Sequence, residues 1–363
     1  MMGISLNQRA AAIVRRMIAD AGALGLDVIQ HPNGATVVDA GVKATGSLEA
    51  GRLFSEACMG GLGQVGFCEL DFDGLRLPGV QVEATHPPLA CVAAQLAGWP
   101  VQWEDTAGRH RAMGSGPARA LRGEEQVFQR LAYPQEGVRT RSAYRDRADV
   151  AVLLLEGDVL PPPEVAADVA CKCGVSPQGV YLLVASIASL VGTVQVPARM
   201  VEAALHKMMA VGFDIRTVIS ACGTCPLAPL GDRYSVSPLG ESPDSLRAIG
   251  LANDAVLYGG RVWLTVHTED APIEAVLDKL PSSASRDYGT SFYDLFARYD
   301  HDFYKMDPLL FSVAEIHITN VRSGRTFRTG QVNGSLVRRM LLPAKEGKDA
   351  ERLPPRGDTE YLP

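Results

Sequence analysis

Residues 148–211 read ADVAVLLLEGDVLPPPEVAADVACKCGVSPQGVYLLVASIASLVGTVQVPARMVEAALHKMMAV. Ala148–Leu155 and Gly179–Ala185 are short apolar runs of the length expected for buried strands. Pro163–Lys172 and Pro197–Val211 carry apolar residues at helical spacing. Pro197 suits a first helical turn, where a missing amide costs nothing. Strand, helix, strand, helix in that order predicts an α/β layer.

Working outward, Ser5 is placed to cap an amphipathic helix that runs to about Ala23. Leu26–His31 and Ala35–Ala40 flank Pro32-Asn33-Gly34, and Asn-Gly between β-rich runs predicts a hairpin. Gln64–Asp71 and Leu75–Val82 predict a second hairpin around Asp71-Phe72-Asp73-Gly74. Leu48–Met59 and Pro88–Ala97 read as helices. Between Arg109 and Arg147 lie nine arginines and few periodic apolar positions, which predicts an irregular connection. Downstream, Ala255–His267 reads as a hairpin around Gly259-Gly260, Pro272–Leu280 and Tyr288–Tyr299 as helices, and Val313–Gly330 as a hairpin around Ser323-Gly324. Pro343–Pro363 is Pro-rich and charged, a tail with no fold of its own. At roughly 150 residues per domain, 363 residues make about two domains. The predicted fold class is α/β, with two mixed α/β domains at about 1–147 and 148–342, the first either continuous or discontinuous in sequence.

With 47% hydrophobic and 21% charged residues the composition is that of a globular protein. A net charge of −6 repels phosphate backbones, so no nucleic-acid partner is expected. Neither a run of about 18 apolar residues nor a signal-like start is present, which predicts a soluble cytoplasmic protein with no membrane partner. Seven scattered cysteines do not resemble a disulfide framework. Cys222-Gly223-Thr224-Cys225 is a CxxC preceded by Cys171-Lys172-Cys173. Inert thiols, a redox pair and a zinc site all fit in principle, although CxC is a poor zinc half-site. Scattered histidines suggest no metal site. The signatures HExxH, GxSxG and GxxxxGK[ST] are absent.

Two glycine-rich stretches, Met59–Gly63 and Met113–Arg119, could turn backbone amides toward an anion. The second, with Gly114, Ser115, Gly116 and Arg119, combines flexible backbone, a hydroxyl and a guanidinium. Arg199 and Glu202, spaced i,i+3 on the helix after Pro197, are either a surface ion pair or a catalytic base tuned by an arginine. His206 stands one turn further along.

Glu49–Leu62, Ala94–Trp99, Ala112–Ala120, Val194–Glu202, Leu257–Gly260, Asp287–Gly289 and Asp302–Pro308 follow one another in order between about residue 5 and 342. Taken together, these segments resemble the methenyltetrahydromethanopterin cyclohydrolase family. The resemblance implies a cytoplasmic one-carbon enzyme that reversibly opens a 5,10-methenyl cation of a tetrahydromethanopterin-type carrier to its N5-formyl form. It further implies that no cofactor or metal is needed, that the pterin sits in a pocket between the two domains, and that the chain forms a homotrimer. By position, Arg199 and Glu202 match the family's catalytic pair, and Gln95, Leu96 and Ala97 match a segment lining the reacting carbon. Glu202 is then the general base, held ionised by Arg199. The Gly114–Arg119 loop is the candidate holder of the carrier's anionic tail, and His206 is structural support. Pro229–Leu251 and the tail depart from the family pattern. The competing readings are a pterin-binding assembly partner without catalysis, and a thiol-redox enzyme using Cys222 and Cys225.

Overall fold

A computed structural model describes residues 3–122, 144–228, 245–300, 305–307 and 309–342. The predicted tail, and most of the segment from Pro229 to Leu251, lie outside them. The chain is mixed α/β, with two six-stranded sheets.

The first sheet is ordered β1-β2-β8-β7-β6-β5. Its strands are β1 (Asp27–Gln30), β2 (Thr36–Gly41), β5 (Trp99–Asp105), β6 (Gly108–Ser115), β7 (Ala151–Glu156) and β8 (Val180–Ala185). At its centre β2, β8 and β7 run parallel. The apolar runs that open the sequence reading are β7 and β8, and both are covered on two sides. Val152 and Leu154 face α1 (Leu6–Ala19) and α3 (Leu48–Cys58), which follow one another around the four-residue α2 (Ala21–Leu24). Ala151, Leu153 and Leu155 face α4 (Ala118–Arg122) and α5 (Pro163–Cys173). Such double burial explains why the runs are continuously apolar instead of alternating. Asn33 and Gly34 make the predicted turn between β1 and β2, with Gly34 at φ 88°.

The second sheet is ordered β12-β11-β10-β9-β4-β3. It comprises β3 (Gly63–Phe72), β4 (Leu75–Thr85), β9 (Val218–Pro226), β10 (Arg261–Val266), β11 (Glu315–Asn320) and β12 (Thr326–Gly330). Only β10 and β11 pair in parallel. One face packs on helices in the largest apolar cluster. The other carries Glu83, Cys222, Trp263, His317 and Arg328 in register across five strands. The helices on the packed face include α7 (Met200–Ala210), reached from α6 (Leu190–Gln195) through a tight turn at Pro197–Arg199, and α8 (Ser245–Gly259). Beyond these come α9 (Asp270–Glu274), α10 (Phe292–Arg298) and α11 (Gly334–Leu341). Both sheets draw strands from either side of Arg147, so neither follows a cut at 147/148.

Three expectations are corrected. Ala255–His267 is not a hairpin: Ala248, Ala252, Ala255 and Val256 keep helical spacing, so α8 continues to Gly259 and only the second arm is a strand. Gly259-Gly260 here stops a helix, with the Gly260 amide on the Val256 carbonyl. Second, the supposed irregular stretch begins inside β6. Its outward positions are Arg109, Arg111 and Met113, while inward Ala112 and Gly114 are too small to give an apolar signal. Third, Pro88–Gln95 is wound as a π-helix, ending with the Leu96 amide on the Cys91 carbonyl at 2.8 Å. Among the described residues no helix is long and apolar enough to cross a membrane.

Candidate active site

Arg199 is the residue at which the Pro197–Arg199 turn passes into α7. Its backbone, at φ −87° and ψ 4°, closes a 3-10 turn and departs from α-helical values. The guanidinium therefore swings away from the helix face that an i,i+3 spacing assumes. Nη1 donates to the Gln95 carbonyl at 2.6 Å, Nη2 to Ser115 Oγ at 3.0 Å, and Nε to Gln195 Oε1 at 3.1 Å. Cys58 Sγ stands 3.8 Å from Nη2. Gln195 in turn donates to Glu156 at the end of β7 (2.7 Å). Arg199 is thus fixed to the π-helix, to β6 and, through Gln195, to β7.

Glu202 lies in the first turn of α7, where the helix dipole favours a negative charge. It is 8% exposed. The predicted ion pair with Arg199 does not form. Burial pushes the Glu202 carboxyl above the usual carboxylate range, and the charges of Arg199, His206 and Arg119 pull it back only in part. Arg199 thus acts on Glu202 in the expected direction, with desolvation the larger effect. A raised proton affinity makes the carboxylate a stronger base.

Glu202 opens onto a cleft of about 190 Å³. Arg199, Glu202 and His206 line one side, Asn253 and Leu257 of α8 the other, and Phe311 closes it. Its apolar walls with few polar groups are of the kind found in small-molecule sites. Lys207, buried on the far side of α7, donates to the Leu309 carbonyl at 2.5 Å, holding the segment that carries Phe311.

The other predicted residues are divided. Gln95 is 1% exposed; its Nε2 donates to the Ala198 carbonyl (3.3 Å), and its Oε1 is buried without a partner among the described residues. Leu96 is half-buried and Ala97 exposed at the end of the π-helix. Ser115 joins the site through Arg199. Gly114 and Gly116 serve packing: a Cβ on Gly114 would meet the Trp99 carbonyl at 2.6 Å, and the Gly116 amide donates to Ala94. Arg119 is 1% exposed and donates to the Leu96 carbonyl, so it points inward instead of toward an anionic tail. The spacing of Gln195, four before Arg199, was a usable signal for its role. Glu156, Cys58, Asn253 and Phe311 gave none.

The thiol-redox reading fails on geometry. Cys222 and Cys225 lie three apart on β9, so they project to opposite faces of the sheet, one half-exposed and one buried. Burial raises the pKa of both thiols. Cys171 and Cys173 belong to α5, over the other sheet. Among the described residues no group of three His, Cys, Asp or Glu is placed to hold a metal ion.

A family model described as Cyclohydrolase (MCH) matches residues 5–341. The methenyltetrahydromethanopterin cyclohydrolase of Methanocaldococcus jannaschii is 41% identical over 345 residues, covering 93% of this chain and 98% of its own. The protein of that name from Xanthobacter autotrophicus is 42% identical over 343 residues, 93% of this chain and 92% of its own. That of Methylobacterium organophilum is 40% identical over 333 residues, covering 92% and 96%. With a match of that extent laid over a buried glutamate, an anchored arginine and a cleft beside them, the chain belongs to the methenyltetrahydromethanopterin cyclohydrolase family.

Proposed function

We propose that this enzyme reversibly hydrolyses 5,10-methenyltetrahydromethanopterin to the N5-formyl derivative, with Glu202 as general base and Arg199 as the orienting group. The observation that carries this reading is a buried carboxylate of raised proton affinity facing a cleft, beside a guanidinium fixed by three hydrogen bonds. The substrate is an amidinium-like cation and already electrophilic. It lacks only a positioned water and an acceptor for the water's proton. Glu202 accepts that proton. Arg199, tied to backbone and side chains of three other elements, costs no reorganisation as charge develops on the formyl oxygen. Its positive charge is tolerable beside a cationic substrate because Glu202 and Glu156 offset it.

On this reading no metal or cofactor takes part, the chain works in the cytoplasm as a homotrimer, and its partner is the pterin carrier. The test is the decay of methenyl absorbance with tetrahydromethanopterin and tetrahydrofolate derivatives, each with and without a chelator. Turnover preferring the methanopterin and indifferent to chelation supports the assignment, and preference for the folate overturns the carrier. Glu202→Gln, which keeps the side-chain volume, is expected to fold normally and lose about 10²–10⁴-fold in kcat. Undiminished decay would remove Glu202 from the mechanism, and binding without turnover in the wild type would favour a silent pterin-binding partner.

A further inference from the structure

We propose that His206 is the proton exit of this site, passing to solvent the proton that each hydration releases. The inference rests on the cyclohydrolase reading above. The balance of that reaction demands an exit. Water oxygen bonds to the bridging carbon and one proton goes to Glu202. The bond from that carbon to N10 then breaks as N10 takes a proton, and the remaining hydroxyl proton leaves as the formyl C=O forms. Of the two protons of water, one ends on N10 and one must reach solvent.

Glu202 is poorly placed to deliver it directly, being 8% exposed at the inner side of the cleft. His206 is four residues on, which puts it over Glu202 on the same helical face. It lines the same cleft, yet it is exposed. Its charge is among those acting on the Glu202 carboxyl. The other charges acting there are the Arg199 and Arg119 guanidiniums, which hold their protons at any working pH. From the π-helix the buried Cys91 faces the carboxyl, and burial pushes its thiol far up. α8 and the closing segment present Asn253, Phe311 and Ser312, none of which titrates. Among the described residues lining the cleft, His206 is therefore the one exposed side chain that can both accept and donate a proton. An imidazole accepts at one nitrogen while donating from the other, so it needs no rearrangement to pass a proton outward.

The experiment compares wild type and His206→Gln, full chain, on the methenyl carrier, with kcat and KM measured against imidazole concentration at fixed pH and ionic strength. A thermal melt verifies folding, and His206→Asn repeats the test if the first variant melts early. The expected result is a kcat lower by about 10-fold or more at low buffer, KM within about 2-fold, and recovery with imidazole while the wild type stays flat. Full kcat at low buffer, or a loss that imidazole leaves untouched, overturns the relay. A wild type that does not turn over the carrier overturns the cyclohydrolase reading itself.

Discussion

At the scale of single residues, the Arg199–Glu202 spacing was legible in the sequence, but its geometry was not. Residues i and i+3 meet only where both belong to regular helix. Arg199 is the cap of α7 at the end of a 3-10 turn, and a backbone off α-helical values there sends its side chain elsewhere. Beyond the i−4 spacing of Gln195, nothing in the sequence ties Ser115 and Gln95 to Arg199, because they arrive from distant elements. That arrangement makes a specific demand on side-chain shape. A guanidinium serves three acceptors in fixed directions, whereas an ammonium is a compact charge with no planar fork. Arg199→Lys is therefore expected to keep the charge and the fold but lose about 10²-fold in kcat, measured by methenyl decay. A lysine variant within about 2-fold of wild type would mean that charge alone suffices.

At the scale of elements, the hairpins at Asn33-Gly34 and Asp73-Gly74 and the helix after Pro197 were legible because their turn or cap chemistry is local. The strands β6 and β9 were not, since their inward positions are small or polar and leave no period-2 apolar pattern; β5 went unread although Trp99, Val101 and Trp103 alternate inward. Close helix contacts were equally hidden. α3 crosses α6 at Gly51, where a Cβ would fall 2.7 Å from Val194 Cβ, closer than atoms tolerate. Val194 is β-branched and buried, so it cannot step aside. α6 ends in Gln195, which holds Arg199. Gly51→Ala is thus expected to cost about 1–3 kcal/mol by denaturant titration and to lower kcat along with it. Unchanged stability would show that α6 can shift without strain.

At the scale of the whole molecule, stability should depend on pH through buried carboxyls outside the site. Asp254 of α8 accepts from the Phe292 amide at 2.8 Å, and burial pushes its carboxyl up to about 7. A folded-state value above the unfolded one means the fold prefers the protonated form. The stability it contributes is full below the ordinary carboxylate range and is lost as pH rises to about 7. Asp254→Asn keeps an acceptor for Phe292 and removes the charge. Between pH 5 and 8 the wild type is expected to lose on the order of 1–4 kcal/mol that the variant keeps; parallel pH profiles of Tm would refute this. Class was legible at this scale and chain routing was not. Composition and periodicity specify α/β layers, whereas strand order depends on non-local pairing. That routing has a consequence for inheritance. Any single recombination breakpoint between Gly63 and Ala185 divides both sheets at once, so hybrids of diverged parents would mismatch in two cores, and the gene is expected to pass between lineages whole.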